Sequence, residues 1–211
     1  MDGIGEDLFF LSNGHISPVW YSVLARAGYF PVAELGTFRK LSSRLQGHPS
    51  TDKKLPGIRM ASGSLGQGLS VAAGAAQVKK LNGDKGIVYT LHGDGELQEG
   101  SNWEAAMFAG HRKLTNLIAV IDRNGFQQGS PTSKTNELDP LDKKFESFGW
   151  EVVVLDGHDH AALQKAFTDP QSKPRVVIAQ TIKGKGVDFM EGKAEWHHKV
   201  PSTEQYEAAL E

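Results

Sequence analysis

Cysteine is absent from all 211 residues. That excludes a disulfide framework and any cysteine–zinc cluster. Long apolar runs are absent too. The longest are about half a dozen residues, against the ~20 needed for a membrane-spanning helix. Neither sign of charge dominates: Lys and Arg number 23, Asp and Glu 25, for a formal net charge of -2. There is thus no electrostatic reason to expect nucleic acid or an acidic membrane as partner. The opening residues, Met1-Asp2-Gly3-Ile4-Gly5-Glu6-Asp7, are acidic and lack the basic start and apolar centre of a secretory signal. No repeat or low-complexity block interrupts the chain. The expectation is a cytoplasmic protein forming one domain, 1–211, with a full core.

What is abundant is glycine, 24 residues, several of them clustered. From residue 87 the chain alternates apolar runs and helix-like runs. Strands are expected at 87–92, 117–122, 151–155 and 175–181, with helices at 101–110, 140–148 and 159–168. That spacing predicts βαβ units with right-handed crossovers, hence an α/β fold with a parallel sheet covered by helices on both faces. Upstream, Leu8 to Leu11 reads as a strand. Ser17-Pro18 reads as a helix start with Ser17 as N-cap, the helix running to Ala27. A second helix is expected over 34–45 and a small-residue helix over 69–81, whose alanines require close packing against another helix backbone. Residues 125–139 read as an unpatterned loop of the length that is often functional. A short helix is expected over 202–210.

The strand at 87–92 runs into Gly93-Asp94-Gly95, and the strand at 117–122 into Asp122-Arg123-Asn124-Gly125. In an open parallel sheet the ligand crevice lies at the carboxyl ends of the strands. Asp94 and Asn124 meet there on this reading. A carboxylate and an amide carbonyl are hard oxygen ligands suited to Mg²⁺, with a backbone carbonyl near Phe126 as a third, and the ion takes its remaining ligands from phosphates. The competing reading is two capping residues in ordinary loops. Gly63-Ser64-Leu65-Gly66-Gln67-Gly68 opens a helix, where glycines admit a ligand to the backbone and free N–H groups suit an anion; a tight turn is the alternative. Leu65, taken as exposed, suggests an apolar contact for a flat ring. His15, His48 and the pair His197-His198 sit in loops and suit proton transfer near neutral pH, or are simply solvated. His92, His111, His158 and His160 read as solvated or capping residues. Glu99 reads as a first-turn helix acid, with a buried interface carboxylate as the alternative, and Lys183 and Lys185 as a solvated surface loop, with a phosphate contact as the alternative.

Taken in order, these stretches resemble the N-terminal, diphosphate-binding half of transketolase, a thiamine-diphosphate enzyme, in the form found in split, two-subunit members. The resemblance is carried by Ser12-Asn13-Gly14-His15, Gly47-His48-Pro49, the loop 63–68, Gly93-Asp94-Gly95 through Asn124, Glu99-Gly100 with Trp103-Glu104-Ala105, and Trp196-His197 with Lys199-Val200-Pro201. It implies transfer of a two-carbon ketol unit from a ketose phosphate to an aldose phosphate. It implies that Asp94, Asn124 and the Phe126 carbonyl bind Mg²⁺ (or Ca²⁺ or Mn²⁺). Gly93, Gly95 and Asn124 would then lie at the diphosphate, Gly63, Ser64 and Leu65 at the aminopyrimidine, and His15 beside the diphosphate. His48 and His197 would face the donor sugar, with His198 as the rival of His197, and Glu99 would join the cofactor-coupling interface. The family's usual front segment and its pyrimidine-binding domain have no counterpart here. The resemblance therefore implies half an active site, completed by a C-terminal subunit carrying the pyrimidine-binding domain, with a homodimer formed through this half. A non-catalytic truncated fragment and another thiamine-diphosphate enzyme, such as a 1-deoxyxylulose-phosphate synthase, are the rival readings.

Overall fold

The structure is a computed structural model and describes residues 3–210. In chain order its elements are β1 (Leu8–Leu11), α1 (Ser17–Arg26), α2 (Gly68–Leu81), β2 (Val88–Gly93), α3 (Gly100–His111), β3 (Leu117–Arg123), β4 (Phe126–Gln127), β5 (Ser130–Pro131), α4 (Thr132–Thr135), α5 (Leu141–Ser147), β6 (Glu151–Asp156), α6 (His160–Thr168), β7 (Arg175–Gln180) and α7 (Thr203–Ala208). Five strands lie side by side in the order β1-β2-β3-β7-β6, every neighbouring pair parallel. The expected α/β class and parallel sheet hold.

The period of two along each strand sorts the core. Phe10, Val88, Leu117, Ala119, Ile121, Val176 and Ile178 form one buried cluster with residues of α2, α3 and α5. Ile118 and Val177 point the other way and meet Ala166 of α6. Coverage of that second face is uneven. Tyr89, Val120, Leu163 and Phe167 are only half-buried there, and a cavity of about 550 Å³ opens beside Phe9, Leu91, Val120 and Phe167. On the first face the small residues of α2 do what their size requires. Ala72, Ala73 and Ala76 pack with Ala105, Ala106 and Ala109 of α3. Those alanines are consumed within the chain, so they do not provide a surface for self-association.

Four expectations change. Residues 34–45 do not form an α-helix: a 3₁₀ turn covers Val32–Thr37, and Arg39 and Ser42 have positive φ of 57° and 63°. Ser17 is not an N-cap; it is the first residue of α1, and its hydroxyl donates to the Gly47 carbonyl at 2.6 Å. The stretch 125–139 is not featureless, for β4 and β5 pair there as a hairpin followed by α4. The last helix is shorter than 202–210, with Ser202 outside it as the N-cap of a capping box. Among the described residues no helix is long and apolar enough to cross a membrane.

Candidate active site

The register places the strand ends level: Leu11 pairs Leu91, Gly93 pairs Asp122, and Arg123 pairs Gln180. The loops leaving β1, β2, β3 and β7 therefore emerge together. They enclose a cavity of about 440 Å³. Of the residues predicted for the site, His15, Gly63, Leu65, Gly93, Asp94, Gly95, Glu99, Asn124, Phe126 and His197 all line it. Ser64 and His48 do not; both are exposed. His48 nevertheless borders the site, since a Cβ on Gly63 would stand 3.0 Å from its ring, and its charge acts on His15. His198 is exposed and absent from the lining, whereas His197 is half-buried within it.

One wall carries Asp94 and Asn124. Asp94 is 1 % exposed. It accepts hydrogen bonds from the N–H groups of Gly95 at 2.7 Å and Gly125 at 2.6 Å, and Arg123 stands 3.3 Å away. Burial still pushes its carboxyl above the ordinary range; a bound cation would relieve that cost. Asn124 donates to Asp122 at 3.1 Å and accepts the Phe126 N–H at 2.9 Å, while Thr181 donates its hydroxyl to Asp122. The amide is thus oriented by a neighbouring shell of the kind that supports metal ligands. Among the described residues no cluster of three His, Cys, Asp or Glu side chains stands together. The Asp94 carboxylate and the Asn124 amide carbonyl, with Phe126 lining the cavity beside them, are hard oxygen donors of the kind that fits Mg²⁺ sharing phosphate ligands.

Glu96, which the sequence did not single out, ties the loops together. It is 2 % exposed. Its carboxylate accepts the Ser12 hydroxyl, the Gly66 N–H at 2.8 Å and the Gly93 N–H at 3.3 Å, and lies 3.5 Å from His92. Burial works against its charge, but the bonds from His92, Ser12 and Gly66 outweigh it and hold the carboxyl below the usual range. His92 is fully buried, not solvated. The sequence signal was an acid two residues beyond Asp94; its partners lie as many as 84 positions away. Glu99 occupies the N-cap position of α3 but makes no side-chain capping bond, and it is exposed at the rim. The Gly66 loop is fastened beside it by Ser101, whose hydroxyl donates to the Gly66 carbonyl at 2.9 Å.

The opposite wall is basic. The His15 and His197 rings lie 5.2 Å apart, and Lys183, expected on the surface, lines the cavity with them. Partial burial lowers both histidines, with Lys183 adding to the effect; His197 falls to about 4. Both rings are neutral at pH 7, able to donate or accept a proton, while Lys183 supplies positive charge for an anion. Lys185 instead faces Glu191 at 3.7 Å. Leu65 is half-buried rather than exposed. Asn13 and Gln127, also unforeseen, complete the lining.

Comparison with known proteins gives a consistent result. Residues 2–208 match the model of the family described as transketolase, thiamine diphosphate binding domain. The chain is 46% identical over 208 residues to one subunit of an apulose-4-phosphate transketolase of Actinobacillus succinogenes, covering 98% of this chain and 75% of that one. It is 46% identical to a transketolase of Pongo abelii, covering 92% of this chain but 31% of that protein. Among solved structures, a Pichia stipitis transketolase in complex with sedoheptulose-7-phosphate superposes with a TM-score of 0.86 at 31% identity, covering 96% of this chain and 32% of that one. The chain thus spans three quarters of the subunit-type relative and about a third of the full-length ones.

Proposed function

The chain belongs to the transketolase family, and from that premise we propose that it is the cofactor-holding subunit of a two-subunit transketolase. It carries a two-carbon ketol unit from a ketose phosphate to an aldose phosphate when joined by a second polypeptide bearing the pyrimidine-binding domain. The split form is supported by the relative that is itself named as one subunit of a transketolase, of which this chain covers 75%. The exposed Glu99 at the cavity rim and the open outer face of α2, with Val71 and Val78 exposed, support association through this half, including a homodimer.

Thiamine diphosphate, when bound, supplies the carbanion chemistry through its thiazolium ylid. The chain's own residues bind and orient. Asp94, Asn124 and the Phe126 carbonyl hold Mg²⁺, and Ca²⁺ or Mn²⁺ suits the same oxygens. Gly93 and Gly95 let the diphosphate approach the backbone. Gly63 and Leu65 receive the aminopyrimidine, while Ser64 between them is exposed outside the lining. His15 lies beside the diphosphate and His197 faces the sugar, with His48 at the border of the site; His15 and His197, being neutral, can take up or release a proton without a prior charge change. Lys183 neutralises anionic groups at the same wall.

The single observation that carries this reading is the meeting of Asp94, Asn124 and Phe126 with His15 and His197 around one cavity at the strand ends. Calorimetric titration of thiamine diphosphate with Mg²⁺ tests it. Wild type is expected to bind, Asp94→Ala to bind at least about tenfold more weakly, and ketol transfer to arise only when the partner polypeptide is added. Equal binding by both proteins would sink the site assignment.

A further inference from the structure

A deeply buried amide in the cavity is left half-idle. Asn13 follows β1, is 2 % exposed, and lines the cavity. Its Oδ1 is buried and accepts no hydrogen bond among the described residues. Its Nδ2 lies beside Gly93, 3.7 Å from where a Cβ on that residue would stand. Other buried amides with an idle oxygen are anchored through their nitrogens: Asn102 donates to the Glu96 carbonyl at 2.7 Å and Asn116 to the Ala76 carbonyl at 2.9 Å. Neither lines the cavity. Gln127 does line it with an idle oxygen, but that residue is only half-buried, on the β4–β5 hairpin. A buried acceptor left idle is destabilising, so a fold retains one only where something else compensates.

The backbone explains why Asn13 cannot turn away. Its carbonyl accepts the Ile16 N–H at 3.1 Å in the turn Gly14–Ile16, and Ser12 just before it is held by the buried Glu96. Gly14 is packed so closely on Ser62 that an added Cβ would fall 2.4 Å from the Ser62 hydroxyl. Both flanks are fixed, and the residue they carry lines the cavity.

We propose that Asn13 is a cofactor-contacting residue, its amide held idle by the fold so that it pairs with the metal–diphosphate end of the cofactor. Nδ2 donates to an anionic phosphate oxygen, while the sealed Oδ1 stays behind it in the fold. The inference rests on the cofactor reading above and assigns a residue which that reading does not use.

The test pairs affinity with the stability of the ligand-free chain, because the two move in opposite directions only if Asn13 serves a ligand. In Asn13→Leu, an apolar group of similar volume replaces the idle amide. The variant without ligand is expected to melt at or above the wild-type temperature, and its affinity for thiamine diphosphate with Mg²⁺ to fall at least about tenfold. Affinity for Mg²⁺-pyrophosphate, which probes the diphosphate end alone, should fall in the same proportion. Should the leucine variant fail to fold, Asn13→Asp keeps the shape and sets a negative charge beside the diphosphate; its affinity should fall further still. Unchanged affinity in a folded variant overturns the proposal, as does a loss of thiamine diphosphate affinity with pyrophosphate affinity intact. If wild type binds neither probe, the cofactor reading itself fails and takes this inference with it.

Discussion

His197 is a loop histidine whose ring has been drawn into a basic wall, and its ionisation records that. Partial burial first, then the charges of Lys183, His15 and His198, bring it from 6.5 to about 4. Its folded pKa lies below the unfolded value, so between those values the unfolded chain binds a proton that the folded chain does not. The stability it contributes is present above 6.5 and is lost as pH falls towards about 4. The ligand-free melting temperature should drop across that window, and His197→Asn should flatten part of the drop. A calorimetric series from neutral pH to about 4 checks this; an unaltered slope would assign the acid loss to other groups. At this scale the sequence was informative where a residue's neighbours in the chain are also its partners. Asn124 accepts the N–H of Phe126, two residues on, and Asp94 that of Gly95, its neighbour, so their placement in one crevice could be read locally. Glu96 was missed because its partners come from loops far apart in sequence, and Lys183 was placed on the surface because the turn that brings it to the cavity follows a strand distant from His15.

Among the elements, βα alternation from residue 87 onward was legible to within a residue or two, because apolar strands and the helices packed on them obey fixed periods. The segment 34–45 was not. There the Thr37 hydroxyl donates to the Glu34 carbonyl at 2.8 Å and pairs with the Ser43 hydroxyl, while Arg44 reaches Glu34 through two bonds at 2.9 and 2.8 Å. Side chains that bond locally compete with the helix ladder, and this amphipathic pattern serves a knot of loops around Tyr21, Leu24 and Leu45. Helical glycines offer a test of packing against propensity. A Cβ added to Gly74 in α2 would meet nothing within 4 Å, whereas one on Gly110 in α3 would fall 1.8 Å from the Phe148 carbonyl oxygen. Propensity alone favours alanine at both by about 1 kcal/mol. Gly74→Ala should gain about that much, and Gly110→Ala should lose roughly 1–3 kcal/mol as the 148–150 turn is forced outward. Urea unfolding measures both, and a gain at Gly110 would show that the turn yields freely.

For the whole molecule, strand order decides what assembles when. Among the described residues β1 pairs with β2 alone, and Leu8 must reach Val88 to do so. The other strands of the sheet follow one another from residue 88 onward. Contacts between distant parts of a chain carry the larger loop-closure entropy and form slowly. The β2-to-β7 body should therefore collapse first, with β1 added at its edge afterwards. Trp20 reports that step, because its ring lies 4.4 Å from Phe9. In a chain keeping Trp20 and replacing Trp103, Trp150 and Trp196 by Phe, stopped-flow fluorescence should lag behind the circular-dichroism signal of the body; coincident traces would refute the order. The Ser12-to-His15 loop hangs from β1, so during folding the crevice has its oxygen wall before its basic one is completed by His15. A newly made chain would meet cofactor only after its longest-range strand pairing is complete.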